Sequence, residues 1–213
     1  MTLFLDSANL EEARQAAALG FVRGATTNPA LLARAGHKDA FEALRSLTQI
    51  LPGIVFYQLM GHSLEEMRQE ADRFTGLGPN LGLKIPATLL GCRFTAEISP
   101  KATVAVTGVF SPAQAYLAAE AGAHYIIPYV NRMTRFVGDG PGIVTRLAMA
   151  VEGSVCEVLA AGIKTPAEAM ETLFAGADHL SLPWEVITGM AENSLTDKAM
   201  QDFEAAWAAS QPH

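Results

Sequence analysis

Short apolar stretches recur along the whole chain, and they constrain its fold more than any other feature of the sequence. Eight of them are suited to buried strands: residues 3–5, 24–27, 54–60, 81–86, 102–110, 125–130, 155–162 and 179–182. Segments with helical periodicity, such as residues 64–71 and 113–120, lie between them. Strands that alternate with helices favour a parallel sheet.

The junctions between these segments favour a closed barrel. Three predicted strand ends carry a polar cap followed by proline, at Asn28-Pro29, Ser111-Pro112 and Thr165-Pro166, which is typical of a starting helix. Residues 121–128 and 175–183 form a weak internal repeat. Eight units in 213 residues predict the α/β class: a single (β/α)8 TIM barrel domain over residues 1–213. A doubly wound open sheet is the alternative, but no Gly-x-Gly-x-x-Gly follows the first strand.

We predict an additional C-terminal helix over about residues 197–209. Its Phe203 and Trp207 stand at i and i+4 and form an apolar stripe. Such a stripe is suited either to the chain's own barrel or to a neighbouring subunit.

Composition narrows the class of protein. Half of the residues are hydrophobic and 17% are charged, which is enough to bury one large core. A net charge of −7 argues against nucleic acid as a partner, so a small anionic substrate would need a local basic site. We expect no membrane span and no signal peptide, and therefore a cytoplasmic protein. Cys92 and Cys156 are expected to be reduced thiols.

In a barrel, polar residues at the carboxyl ends of strands converge on one site. Lys84 is the most informative, because apolar residues flank it and Pro86 ends its strand. Burial disfavours a charged amine, and a neutral lysine can attack a carbonyl to form a Schiff base. Alternatively, Lys84 could extend out of the barrel mouth without reacting. The full set is Asp6, Thr26, Asn28, Gln58, Lys84, Thr107, Tyr129, Asn131 and Arg132.

The other candidates also have ordinary structural interpretations. Asp6 and Asn28 could serve only as helix caps. Gln58 interrupts an apolar run, and a buried amide needs partners that a polar pocket supplies more readily than a barrel wall. Thr107 suits any strand, and Tyr129 could be a packing aromatic.

Charged loop residues and histidines have plainer interpretations still. Arg132 and Lys164 could be solvated loop charges, and the place of Trp184 is open. No metal site is expected, because the histidines show no i, i+4 pair. The five are His37, His62, His124, His179 and His213.

Several segments resemble those of the small transaldolase and fructose-6-phosphate aldolase family. They are Phe-Leu-Asp-Ser at 4–7, Ala-Thr-Thr-Asn-Pro at 25–29, Leu-Lys-Ile-Pro at 83–86, Val-Phe-Ser-Pro-Ala-Gln-Ala at 109–115 and Pro-Tyr-Val-Asn-Arg at 128–132. The match continues to residues 203–207 and so covers nearly the whole chain. The resemblance implies a class I barrel enzyme without metal or cofactor, with Lys84 as the Schiff-base lysine.

Within this family, the resemblance favours an aldolase. Aldolases of the family place Gln and Tyr where transaldolases usually carry Glu and Phe, and this chain has Gln58 and Tyr129. Transaldolases also tend to carry Asn where this chain has Ala105. The implied reaction is reversible cleavage of a ketose phosphate, such as fructose 6-phosphate, into dihydroxyacetone or a similar donor and glyceraldehyde 3-phosphate. A transaldolase and a noncatalytic sugar-phosphate-binding barrel are the alternatives.

The resemblance also implies roles for the candidates. Those expected to act in catalysis are Lys84, Asp6, Tyr129, Gln58 and Thr107, and those expected to bind substrate are Thr26, Asn28, Asn131, Arg132, Gly162 and Ile127. Gly162 replaces a phosphate-binding serine and keeps only its backbone amide, which leaves a sulfonate or an uncharged tail open. Ile127 replaces a smaller residue and is expected to favour hydroxyacetone over dihydroxyacetone. The family suggests a homo-oligomer, with decamers common.

Overall fold

The computed structural model describes residues 1–210 and shows a closed barrel of eight parallel strands in sequential order, with β1 paired to β8. The predicted (β/α)8 class is therefore confirmed. The strands are β1 (Leu3–Asp6), β2 (Val22–Thr26), β3 (Val55–Gln58), β4 (Leu81–Pro86), β5 (Val104–Val109), β6 (Tyr125–Pro128), β7 (Glu157–Ala160) and β8 (His179–Leu182).

Helices surround the barrel and cover its outer apolar face. They are α1 (Leu10–Ala18), α2 (Pro29–Arg34), α3 (Ala40–Ile50), α4 (Leu64–Thr75), α5 (Leu89–Ile98), α6 (Pro112–Glu120), α7 (Val130–Val137), α8 (Gly140–Val151), α9 (Pro166–Phe174), α10 (Trp184–Gly189) and α11 (Ser194–Ser210). Among residues 1–210, no helix is long and apolar enough to cross a membrane.

The three predicted cap–proline junctions are confirmed. The side chains of Asn28, Ser111 and Thr165 each accept a backbone N–H of the following helix, and proline occupies the first turn. Two of these junctions are reinforced by a side chain three residues later. Gln114 accepts the N–H of Phe110, and Glu168 accepts the N–H of Lys164. Such reciprocal caps fix the loops that carry the polar strand ends.

The apolar runs overestimate the length of several strands. The run over 125–130 ends as a strand at Pro128, and its last residue begins α7. The run over 155–162 contains a strand only at Glu157–Ala160. Burial explains the difference, because Val130 is fully buried although it is helical. Apolar character marks residues inside the protein, whether or not they pair in the sheet.

The C-terminal helix is confirmed but is longer than predicted, since it runs from Ser194 to Ser210. Phe203 and Trp207 are 67% and 71% exposed, so their stripe does not pack on the chain's own barrel. Cys92 and Cys156 are both free thiols. His213 lies outside the described residues.

Inside the barrel, residues two apart on each strand form two sets, because strand side chains alternate between faces. The lower set packs as an apolar cluster that includes Phe4, Phe56, Ala105, Ile127 and Leu159. Gly24 and Gly82 leave space for the two phenylalanine rings, since a Cβ at Gly82 would lie 2.6 Å from Cε1 of Phe56. The upper set lies at the carboxyl ends of the strands: Asp6, Thr26, Gln58, Lys84, Thr107, Tyr129 and Ser181.

Candidate active site

Lys84 is the buried cation of the upper set. Its side chain is only 2% exposed, and its Nζ donates a hydrogen bond to the carbonyl oxygen of Thr27 at 2.9 Å. Burial lowers the pKa of Lys84 to about 8, while the nearby carboxylate of Asp6 acts in the opposite direction. The alternative in which Lys84 extends into solvent is therefore wrong. A buried amine that is easily deprotonated is suited to nucleophilic attack.

Asp6 stands at the end of β1 and receives support from two buried hydroxyls. Thr26 Oγ1 donates to Asp6 Oδ1 at 2.8 Å, and it lies 2.7 Å from Ser181 Oγ. Because the Thr26 proton is used by Asp6, Ser181 is the donor in the second bond. Burial raises the pKa of the Asp6 carboxyl, and Lys84 and Thr26 lower it. Asp6 does not cap α1, whose N-terminal cap is Asn9.

Tyr129 follows β6 and lies against β5. Its hydroxyl is 2.7 Å from Thr107 Oγ1, and burial raises the pKa of the phenol. The phenol therefore keeps its proton at neutral pH and can donate it or orient a water molecule. The Arg132 guanidinium lies over the Tyr129 ring, with Cζ 5.3 Å from the ring centroid.

Gln58 ends β3 beside Lys84, its partner in the β3–β4 register. The N–H of Leu59 donates to the carbonyl of Lys84 at 2.9 Å, so the two strand ends are held together. Gln58 is half-buried and lines the central cavity. This placement agrees with a polar pocket rather than a barrel wall.

One cavity of about 610 Å³ opens above these groups, and most of the candidates line it. Its polar and charged lining residues are Asp6, Asn28, Gln58, Lys84, Tyr129, Asn131, Arg132 and three further cations, Arg34, Arg135 and Lys164. A smaller cavity of about 140 Å³ shares the lining residues Asp6, Leu31, Arg34 and Lys164 with the first. Trp184 lines this smaller cavity. The rim of the site is thus strongly basic in a chain whose net charge is −7.

Two residues of the cavity have structural roles as well. Asn28 caps α2 through Oδ1, which accepts the N–H of Leu31 at 3.0 Å, and it also faces the cavity. Asn131 donates through Nδ2 to Glu168 at 3.2 Å. The cap interpretation of Asn28 is thus confirmed, and a binding role for its amide stays a prediction.

Gly162 and Ile127, the two departures from the family pattern, are placed differently. Gly162 lines the cavity with φ of 67°, a left-handed conformation that favours glycine. A Cβ there would lie 3.4 Å from the Cβ of Tyr129. Ile127 belongs to the buried lower set beneath Tyr129 and is not among the described residues that line the cavity.

Three residues of the site, Arg34, Arg135 and Ser181, are not predicted by the polar residues at strand ends. Arg34 is the last residue of α2 and Arg135 lies inside α7, so neither stands at a strand end. Ser181 is predictable from strand alternation, since it stands two residues after His179 on β8 and so shares the inward face on which His179 contacts Phe4. Lys164 lines the cavity wall, although its sequence context suggests an ordinary solvated charge.

Comparison with known proteins identifies the family of the chain. A family model described as Transaldolase/Fructose-6-phosphate aldolase matches residues 3–212. The chain belongs to this family. A probable transaldolase of Desulforamulus reducens is 36% identical over 215 residues, covering 100% of this chain and 99% of the relative. A probable transaldolase of Maridesulfovibrio salexigens is 37% identical over 210 residues, covering 97% and 98%.

One solved structure is similar to this chain in its fold. A mandelate oxidase variant with an FMN adduct superimposes with a TM-score of 0.62 at 16% identity, over 86% of this chain and 64% of the other. This similarity shows the barrel architecture and nothing about chemistry. Family membership makes the protein an enzyme of the aldolase and transaldolase kind.

Proposed function

We propose that this member of the family is a class I aldolase of the fructose-6-phosphate aldolase type. The observation that carries the proposal is Lys84, a buried amine with a pKa lowered to about 8, which lines a basic cavity beside Asp6 and Tyr129. Carbonyl condensation needs a neutral amine, and its substrate must reach that amine through an opening of suitable size. No cofactor is needed for this chemistry.

The proposed cycle begins when Lys84 Nζ attacks the C2 carbonyl of the ketose phosphate. The carbinolamine loses water to give an iminium, helped by a water molecule that Gln58 and Tyr129 orient. Asp6 then takes the proton of the C4 hydroxyl, the C3–C4 bond breaks, and its electrons move into the iminium to form an enamine.

The aldehyde product leaves at this point, and the enamine must then be protonated and hydrolysed. Tyr129 delivers a proton to C3 of the enamine, which regenerates an iminium. Water hydrolyses this iminium and releases the three-carbon ketone and free Lys84. The proton that Asp6 took from the C4 hydroxyl passes through water to the Tyr129 oxygen, which restores both groups. Because the phenol has a raised pKa and a hydroxyl partner in Thr107, it suits a reversible proton donor. Thr26 keeps Asp6 oriented for the preceding step.

The anionic end of the substrate is proposed to bind at the cations of the rim. Arg132 is held over the Tyr129 ring, and Arg135 follows it by three residues on the same helix. An arginine offers a planar pair of N–H donors that fits phosphate or sulfonate oxygens. The amide of Gly162 contributes a further donor without a side chain. The four cations favour an anionic tail over an uncharged one.

Transaldolase activity is the second candidate, and the names of the relatives favour it. The two activities differ in the fate of the enamine, which is protonated in an aldolase and attacks a second aldehyde in a transaldolase. Gln58 favours the aldolase, because an uncharged amide can orient water but cannot act as a general acid or base. Proton transfer is then left to Tyr129.

Product analysis separates these candidates. Wild type and Lys84→Met are incubated with fructose 6-phosphate, with and without erythrose 4-phosphate, and glyceraldehyde 3-phosphate is measured. An aldolase releases it without an acceptor, whereas a transaldolase releases it only when erythrose 4-phosphate is present. Borohydride reduction followed by intact-mass analysis reports the Schiff base directly. If wild type forms no adduct with fructose 6-phosphate, dihydroxyacetone or hydroxyacetone, the aldolase proposal is wrong.

We also propose that the protein is a homo-oligomer whose contacts include α11. Helix α11 carries apolar residues that are between 53% and 76% exposed: Leu195, Met200, Phe203 and Trp207. An apolar stripe of this size is typical of a surface that binds another chain. Light scattering after size exclusion measures the mass, and Phe203→Glu with Trp207→Glu is expected to dissociate the assembly. A monomeric wild type would contradict this proposal.

A further inference from the structure

The turn that follows Gln58 is tied to α4 by one carboxylate. Glu70 Oε2 accepts the N–H of Met60 at 2.9 Å and the N–H of Gly61 at 3.0 Å. Glu70 Oε1 accepts the hydroxyl of Tyr57 at 2.6 Å. Burial, together with the Glu70 bond, raises the pKa of Tyr57, so this phenol stays a proton donor. The three bonds lie on both sides of Gln58 in the chain.

These bonds matter because they hold the outer side of the turn next to Gln58. Tyr57 points out toward the helices, whereas Gln58 points into the barrel, as alternation on a strand requires. Met60 is 49% exposed, and its sulfur lies 3.9 Å from the Gln58 amide nitrogen. On the inner side, the N–H of Leu59 is fixed by the carbonyl of Lys84. Glu70 supplies the corresponding restraint on the outer side.

We infer that Glu70 is a positioning residue, which holds the Gln58 amide at the place where the imine of Lys84 forms and is hydrolysed. The inference rests on the proposed function, since it needs Gln58 to orient water there. A misplacement of about 1 Å in a group that positions the reacting atoms can lower the rate by about 100-fold, and Glu70 itself does not line the cavity that would bind the substrate. Loss of Glu70 is therefore expected to affect kcat rather than KM.

Glu66 provides a matched control on the same helix. Its carboxylate accepts the N–H of His62, one residue beyond Gly61, and its own backbone N–H donates to Ser63 Oγ. Glu66→Ala thus removes a carboxylate bond to the same connection but leaves the residues next to Gln58 restrained. Its effect on kcat is expected to stay within about twofold of wild type.

Glu70→Gln tests whether charge or geometry matters. Its amide oxygen can still accept the N–H groups of Met60 and Gly61, while its NH2 donates to the Tyr57 oxygen. This variant is expected to keep most of the activity, whereas Glu70→Ala is expected to lower kcat by roughly 10- to 100-fold with little change in KM. Equal losses in both variants would mean that the charge acts directly, and the inference would be overturned.

A double-mutant cycle decides whether Glu70 acts through Gln58. Rates of aldol cleavage and of borohydride-trapped adduct formation are measured for wild type, Gln58→Ala, Glu70→Ala and the double variant. We expect the double variant to be no slower than Gln58→Ala by more than about threefold, because removal of Gln58 leaves Glu70 nothing to position. Additive losses, or a Gln58→Ala variant as active as wild type, would overturn the inference.

Two further measurements keep the result interpretable. Amide hydrogen exchange at Met60 and Gly61 is expected to rise in Glu70→Ala and not in Glu66→Ala, which reports the restraint without catalysis. If Glu70→Ala does not fold, Tyr57→Phe removes only the phenol bond and is expected to lower kcat by a smaller factor. A wild type without any trapped adduct refutes the proposed function itself, and the role of Glu70 with it.

Discussion

The lower and upper sets inside the barrel come from the same eight strands, yet they serve opposite purposes. Phe4 and Phe56 in the lower set fill space that Gly24 and Gly82 leave open, and they make no hydrogen bonds through their side chains. Two residues further along, side chains in the upper set bond to one another or line the open cavity. On one strand, side chains only two residues apart therefore differ in role: one packs in the apolar core and the next faces the cavity or its polar groups.

The two sets affect the stability of the folded protein in opposite directions. Burial of the rings in the lower set stabilises the fold, because apolar surface leaves water. Burial of Lys84 opposes folding, since the amine loses hydration and keeps only the Thr27 carbonyl as a partner within the described residues. Changes in the lower set are thus expected to alter stability, and changes in the upper set are expected to alter the reaction.

Lys84→Met is expected to have the largest effect. It removes the proposed nucleophile, so the proposed aldol cleavage should fall by at least about 10⁴-fold, on the scale of other covalent-catalysis nucleophiles. Methionine is of similar length and removes the cost of burying an amine, so the melting temperature should stay equal or rise. Steady-state kinetics and thermal unfolding followed by circular dichroism measure both quantities. A variant that keeps activity would show that the Schiff base forms elsewhere.

Phe56→Ala should produce the opposite result. Its ring is fully buried in the lower set, so its loss is expected to reduce the free energy of unfolding by about 3–5 kcal/mol. Activity per folded molecule is expected to fall much less than in Lys84→Met. Denaturant unfolding and kinetics at low temperature provide the comparison. The separation of the two sets would be contradicted if Phe56→Ala stopped adduct formation while its stability remained normal.

Much of this arrangement can be predicted from the sequence, and the exceptions have physical causes. Lys84, Asp6 and Tyr129 follow from polar residues at strand ends, where a parallel barrel must bring them together. Arg34 and Arg135 do not follow, because helices carry them to the rim and no local pattern marks that direction. The apolar runs overestimate strand lengths, since apolar character indicates burial and not pairing in the sheet.

Glu70 illustrates the same limit more sharply. It lies on a helix in a segment rich in charges, where a glutamate is ordinarily solvated. Only the three-dimensional path of α4 brings its carboxylate to the Met60 and Gly61 amides. The amino-acid sequence can therefore predict residues that act through position on a strand, but not those that act through a contact between elements.

The pH dependence of imine formation offers the next test of the upper set. With a pKa of about 8 instead of 10.5, Lys84 has roughly 300 times more neutral amine at pH 7. Rapid-quench borohydride trapping should show a rate that rises about tenfold per pH unit below pH 8 and levels off above it. A rate that continues to rise to pH 10 would show an ordinary lysine.

The lowered pKa of Lys84 also makes the free energy of unfolding depend on pH. The folded pKa of Lys84 lies below the unfolded value, so the unfolded chain binds more protons between about pH 8 and 10.5. Wild type should therefore gain stability over this window, by up to about 1.4 kcal/mol per pH unit, compared with Lys84→Met. Urea unfolding of both proteins at several pH values measures the difference. Parallel stability curves would contradict a buried, deprotonated amine.

Ser181→Ala is expected to have the smallest effect, and it tests whether the upper set works as connected bonds. Ser181 donates to Thr26, which donates to Asp6, so its loss weakens the donor that stabilises the ionised carboxylate. The pKa of Asp6, already raised by burial, should rise further, and the acid limb of the pH–rate profile should move to higher pH. We expect kcat to fall about two- to tenfold, the range of one neutral hydrogen bond.

Ser46→Ala, in helix α3 and outside the barrel, is the control. An unshifted acid limb would show that Asp6 is supported by Thr26 alone, whereas loss of stability without a change in the profile would place Ser181 with the packing residues of the lower set.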